Sequence, residues 1–118
     1  MKADEDTKDT LIYEFEQWSN SIKHIIDKII SAMRKAETVE ELMALKRELL
    51  LRLLDMLPLH ANYCYFCVKN FTRCEKCEYA KFHGICTKEP SDYATIKRKL
   101  DELKTLIKYR YYAEEKYD

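Results

Sequence analysis

The segment His60–Pro90, HANYCYFCVKNFTRCEKCEYAKFHGICTKEP, interrupts an otherwise helix-forming chain and decides how that chain is organised. It contains all five cysteines, two of the three histidines and the only glycine. Its spacing is that of two C-x-x-C pairs followed by H-x-x-C. Two such pairs supply four soft ligands to one tetrahedral zinc ion, because each pair can fold into a single tight turn. The segment is therefore predicted to bind a metal.

Five cysteines are present for the four positions of a tetrahedral site. The candidate ligands are Cys64, Cys67, Cys74, Cys77 and Cys86, with His83 in reserve and His60 as a further donor. We favour Cys64 and Cys67 as one half of the site, with two of the other three cysteines completing it. The zinc is expected to be structural, because a site made of cysteines leaves no open position for a reactant.

Two other states are open for the same cysteines. An iron–sulfur cluster also takes four cysteine thiolates, although the spacing here is not that of a ferredoxin. Two disulfides and one free thiol would suit an intracellular protein from a thermophile. The composition favours a thermophilic source, since it is rich in Lys, Glu, Ile and Tyr and contains one Gln and three Asn. Redox catalysis by one pair is not favoured, because no βαβ pattern surrounds it.

The chain before the cysteine-rich segment has the pattern of a long amphipathic helix. Apolar residues from Leu11 to Ala36 recur at alternating steps of four and three, which predicts a helix over residues 9–36. The candidates for its N-cap are Asp6, Thr7 and Asp9.

Two further helices are predicted from their start and stop signals. A Thr-x-x-Glu capping box at Thr38 begins a helix over residues 38–57, which Pro58 ends. After the cysteine-rich segment, an apolar stripe predicts a helix over residues 91–113 with Ser91 as its cap.

The predicted fold is all-α and forms a single domain over residues 1–118. Three long helices make up the domain, and the first two form a hairpin. An irregular, metal-stapled cap over residues 60–90 joins the second helix to the third, with Gly84 at a turn of positive φ. The metal fixes a segment that has too few turn residues to fold alone.

The cysteine pattern and the Pro90-Ser-Asp-Tyr93 segment resemble those of small uncharacterised phage and prokaryotic proteins. Those proteins carry two C-x-x-C pairs, a third cysteine, and a short Pro/Ser/Tyr segment that leads into a helix. Their second pair commonly continues as Cys-Pro, whereas Glu78 follows Cys77 here. The resemblance covers the 30 residues from Cys64 to Tyr93 and implies a metal-binding segment, with no known activity.

Charge is unevenly distributed along a chain whose net charge is zero. Residues 1–63 carry a net charge of −3, residues 64–110 carry +5, and the last eight residues carry −2. Basic and aromatic side chains alternate in the positive part, a pattern that favours binding to DNA or RNA. The candidate contacts are Lys69, Arg73, Lys76, Lys81, Lys97, Lys104 and Lys108. The competing interpretations are that the aromatic side chains form a small core around the metal and that the charges are a solvated helix face.

The predicted second helix has an apolar face that is wider than one neighbour requires. Its members are Val39, Leu42, Met43, Leu45, Leu49, Leu50, Leu53, Leu54, Met56 and Leu57. Such a face contacts two partners, either two helices of the same chain or a second copy. A homodimer or a protein–protein scaffold is therefore the alternative function.

Several function classes lack their sequence signatures. One glycine cannot form a phosphate-binding loop, and neither G-x-S-x-G nor H-E-x-x-H occurs, so an enzyme is not expected. No apolar run approaches the ~20 residues that span a bilayer, and the first residues are acidic rather than signal-like. We expect a cytoplasmic, non-catalytic zinc-binding protein with no membrane partner, which binds nucleic acid or acts as a regulatory adaptor.

Overall fold

The computed structural model describes residues 1–70, 73–86, 88 and 90–111. Within these ranges the regular elements are helical and no strand occurs, which confirms the all-α prediction. In chain order the α-helices are α1 (Glu5–Lys35), α2 (Val39–Asp55), α3 (Tyr65–Lys69), α4 (Ala80–His83) and α5 (Asp92–Tyr109). The three long helices are α1, α2 and α5, as predicted. Among the described residues, no helix combines the length and the apolar character needed to cross a membrane.

Helix α1 begins at Glu5 rather than at residue 9, because Asp4 caps it. One carboxylate oxygen of Asp4 accepts hydrogen bonds from the Thr7 N–H at 3.0 Å and from the Thr7 hydroxyl at 2.7 Å. These two bonds hold the pKa of Asp4 below its ordinary value. The N–H of Asp4 donates to the Tyr65 hydroxyl at 2.6 Å, which ties the start of α1 to α3. The three caps predicted from the sequence were therefore wrong.

Helix α2 begins at the capping box that the sequence predicts. The Thr38 hydroxyl accepts from the Glu41 N–H at 3.1 Å, which confirms Thr38 as the cap. The second bond of the box differs, because the Glu41 carboxylate accepts from the N–H of Glu37, at 3.1 Å, and not from that of Thr38. The helix ends at Asp55, two residues before the predicted end at Leu57.

Residues 60–90 contain more helix than an irregular cap, so this part of the prediction was wrong. They include α3, α4 and two single 3₁₀ turns, Ala61–Tyr63 and Cys74–Lys76. Such short helical turns close with local hydrogen bonds and do not require glycine or proline. This explains how a segment with a single glycine changes direction several times.

Gly84 makes the turn between α4 and the segment that leads to α5. Its φ is +83° and its ψ is 161°, which confirms the predicted positive φ. Its N–H donates to the Ala80 carbonyl at 3.1 Å and ends α4. A β-carbon at this position would lie 2.5 Å from the carbonyl oxygen of Pro90, so only glycine allows this close approach.

Helix α5 begins at the predicted cap. The hydroxyl of Ser91, which is buried, accepts from the Ala94 N–H at 3.1 Å. The helix extends to Tyr109, and the last two residues of the predicted helix, 112 and 113, lie outside the described residues.

The chain forms two compact units. The cysteine unit consists of Met1–Ser19 and Pro58–Arg98, and contains all five cysteines. The helical unit consists of Asn20–Leu57 and the segment that begins at Lys99. Ile29 and Ile107, both in the helical unit, are the apolar side chains that are buried among the described residues. The prediction of a single domain stays a prediction.

Candidate metal centre

Each C-x-x-C pair lies across a short helical turn. Cys64 is the N-cap residue of α3, and Cys67 lies inside that helix. Cys74 begins the second 3₁₀ turn, and the N–H of Cys77 closes it by donating to the Cys74 carbonyl at 3.2 Å. Cys86 follows the glycine turn after α4. The five cysteines therefore come from three separate turns of the cysteine unit.

None of the five cysteines forms a disulfide, and all five are half-buried. Burial is the largest influence on the thiol of Cys67 and raises its pKa, which reaches about 12. The charges of Cys64, Cys77 and Cys86 raise this pKa further, as does a hydrogen bond to the Cys64 side chain. Burial also raises the pKa of Cys86, followed by the charges of Cys64, Cys77 and Cys74. Thiols from all three turns are thus within electrostatic reach of one another.

The thiols are not arranged as a closed metal site. Among the described residues, no three or more Cys, His, Asp or Glu side chains converge in a metal-binding arrangement. Zn–S bonds of about 2.3 Å place the sulfur atoms about 3.8 Å apart in a tetrahedron. Zinc binding would therefore require the sulfur atoms of the ligands to move to about 3.8 Å from one another. The donor set suits zinc chemically, because soft thiolates are its preferred structural ligands.

Aromatic rings pack against one another in the same unit as the cysteines. The rings of Phe66 and Tyr79 have centroids 6.0 Å apart, and the His83 ring stacks on Tyr79 at 4.2 Å. Burial is the largest cause that raises the pKa of Tyr79, followed by the charges of Asp92 and Cys86. These rings fit the interpretation of a small core beside the cysteines.

Among the described residues, neither histidine of the segment converges with the thiols in a metal-binding arrangement. His83 Nδ1 is 2.7 Å from a carboxylate oxygen of Asp92, the first residue of α5, which leaves Nε2 as its only nitrogen for a metal. His60 is exposed ahead of the first 3₁₀ turn. The pairing of Asp92 with His83 could not be predicted from the sequence, because Asp92 lies nine positions from His83 and belongs to no motif.

An ion pair connects α3 to the residue that follows the second C-x-x-C pair. The Lys69 ammonium lies 3.0 Å from one carboxylate oxygen of Glu78, and the Asn70 amide donates to the other at 3.1 Å. A backbone hydrogen bond and then these two partners hold the pKa of Glu78 low, at about 2. Glu78 therefore joins the two cysteine turns.

The seven cations predicted to contact nucleic acid fall into two groups. Lys69 is paired with Glu78, Lys104 forms an ion pair with Asp55, and the Lys108 ammonium lies 5.5 Å from the centroid of the Tyr109 ring. The other four are exposed and lie in the cysteine unit: Arg73, Lys76, Lys81 and Lys97. Lys108 is exposed as well, in the helical unit, so four of the five exposed candidates lie in the cysteine unit.

Phe82 differs from the other aromatic residues of the segment. Its side chain is 85% exposed, whereas Tyr63, Tyr65, Phe66 and Tyr79 are half-buried. Phe71 lies outside the described residues. The interpretation of the aromatic residues as a core therefore does not extend to Phe82, which presents its ring to solvent next to Lys81.

Comparisons of the chain with models of known protein families, with curated proteins and with solved structures found no match in any of the three. The interpretation of the site therefore depends on its own residues.

Proposed function

We propose that this chain is a small, non-catalytic zinc-binding protein whose cysteine unit binds single-stranded nucleic acid. The observation that carries the nucleic-acid part is the exposed ring of Phe82 in a unit that also exposes four of the predicted cations. An exposed aromatic ring can stack on a base of any identity, and nearby cations attract the phosphates.

The zinc part is supported by the density of thiols in one small unit. Five half-buried cysteines come from three turns, and two of these turns have C-x-x-C spacing. Thiolates held this close repel one another, and a divalent cation removes that repulsion while fixing the turns. The ligand set with the best support is Cys64, Cys67, Cys77 and Cys86. After burial, the charges that raise the pKa of Cys67 are those of Cys64, Cys77 and Cys86.

Metal analysis of protein purified without oxygen and without added metal tests the zinc part. We expect one zinc per chain and a colourless solution. Iron together with visible absorption would replace the structural zinc by an iron–sulfur cluster. The absence of metal, with at most one titratable thiol, would mean that the cysteines form disulfides and that the zinc proposal is wrong.

Fluorescence anisotropy with labelled oligo-dT and oligo-U tests the nucleic-acid part on the zinc-loaded chain. We expect binding at low salt that weakens steeply as salt is added, because phosphate contacts release counterions. Phe82→Ala should weaken binding about 10-fold, since stacking of one base contributes about 1–3 kcal/mol.

The matched control is Tyr13→Ala, which removes a ring that is 59% exposed in the acidic part of the cysteine unit. This variant should bind like the unaltered chain. Equal losses in the two variants, or no binding at low salt, would refute a nucleic-acid function.

A further inference from the structure

The described residues of the helical unit expose much of their apolar surface. Apart from Ile29 and Ile107, its described apolar side chains are half-buried or exposed, and α2 buries none. Five aliphatic side chains are each 38–46% exposed: Ile30, Val39, Leu57, Leu103 and Leu106. The unit contains no cysteine. Units of about fifty residues rarely gain enough stability from their own core and commonly use a metal, disulfides or oligomerisation. Because this unit has no cysteine for a disulfide or a thiolate metal site, its composition favours oligomerisation.

Helix α2 presents a regular stripe for such an association. We call this stripe the leucine face, and its residues are Leu42, Leu45, Leu49, Leu53 and Met56. Steps of three and four place these side chains on one side of the helix, and all five are half-buried. A stripe of this kind packs well against the same stripe of another helix.

The charges beside the leucine face specify both the occupant and its direction. At 100° per residue, Glu41 and Arg52 lie on the same edge of this face, within about 40° of Leu45. Glu41 is in the first turn of α2 and Arg52 is in the last. The Arg52 guanidinium lies 3.1 Å from a carboxylate oxygen of Glu48 in the same helix, but its side chain remains 49% exposed, so it is also accessible to a charge on a second copy. If two copies of α2 pair in opposite directions, this edge of one helix faces the same edge of the other helix, with the chain direction reversed. Glu41 of each copy then lies beside Arg52 of the other.

We infer that a second copy of this chain docks on the leucine face, with the two α2 helices antiparallel, and forms a two-fold symmetric dimer. The two Glu41–Arg52 pairs are then identical, as two-fold symmetry requires. Residues 20–57 carry a net charge of only +1, so a second copy is not repelled. The antiparallel direction also opposes the two helix dipoles favourably. This dimer does not depend on the proposed zinc or nucleic-acid function.

Sedimentation equilibrium on the full chain over a range of concentrations tests this dimer. We expect the mass to approach twice 14.2 kDa as concentration rises. Arg52→Glu should weaken dimerisation about 10-fold, because it places like charges together at both ends of the interface. The double variant Glu41→Arg/Arg52→Glu restores opposite charges and should recover the original dissociation constant within about 3-fold.

The matched control is Ala44→Lys, which adds a charge at an exposed position of α2 outside the leucine face. It should leave the dissociation constant unchanged. A mass of 14.2 kDa at every concentration would overturn the inference. Glu41→Arg alone completes the comparison, because it also loses the hydrogen bond that Glu41 accepts from the Glu37 N–H. A double variant that dimerises no better than either single variant would overturn the antiparallel arrangement, since the rescue depends on contacts between the two copies.

Discussion

Replacing Gly84 by alanine should destabilise the cysteine unit strongly. At φ +83° and ψ 161° the backbone is in a region that is essentially reserved for glycine, and another residue there costs about 1–3 kcal/mol. The added β-carbon would lie 2.5 Å from the Pro90 carbonyl oxygen and 3.0 Å from the β-carbon of Ser91. Because Ser91 is the buried cap of α5, the clash cannot be relieved by rotating a flexible side chain.

Moderate overpacking in a core costs about 1–3 kcal/mol, so the two penalties sum to about 2–6 kcal/mol, with a midpoint of about 4 kcal/mol. For a chain of this size, a loss of about 4 kcal/mol lowers the melting temperature by about 16 °C. Thermal unfolding followed by far-UV circular dichroism measures the shift, and denaturant unfolding measures the free energy directly.

The matched control for Gly84→Ala is Ser31→Ala, at an exposed position inside α1. The free energy of unfolding of the control should stay within about 0.5 kcal/mol of the unaltered chain. If Gly84→Ala is as stable as this control, the turn does not hold the backbone described here, and the close approach of Gly84 to Pro90 is wrong.

Three further predictions concern single side chains. Glu78→Gln should lower the free energy of unfolding above pH 4.5, compared with the exposed control Glu75→Gln. This difference should vanish as pH falls towards 2, because the folded state lowers the pKa of Glu78 from 4.5 to about 2. Denaturant unfolding at stepped pH measures the difference. Cys77→Ser should abolish zinc retention while Cys74→Ser keeps one zinc per chain, as measured by metal analysis; the reverse result would contradict the proposed ligand set. Thr38→Ala should lower the free energy of unfolding by about 1 kcal/mol through loss of the α2 cap, and an unchanged denaturation midpoint would show that the cap bond contributes nothing.

The long helices were predictable from the sequence because their signals are local. The apolar repeat of α1, the hydroxyl of Thr38 and that of Ser91 act within a few residues of themselves. The positive φ of Gly84 followed from its being the only glycine in a turning segment. The start of α1 was missed because Asp4 precedes the periodic residues and is held by Tyr65, a partner 61 positions away.

The sequence alone determined that all five cysteines lie in one segment. It also determined that the apolar face of α2 is wider than one neighbouring helix requires, because the spacing of the apolar residues fixes the width of that face. Only the tertiary structure decided which charges remain exposed. Lys69 and Lys104 look like Arg73 and Lys81 in sequence, but they are paired with Glu78 and Asp55. Tertiary packing also separated Phe82 from the other rings and joined His83 to Asp92. Such pairings depend on how turns approach one another in space, and no periodicity along the chain encodes that.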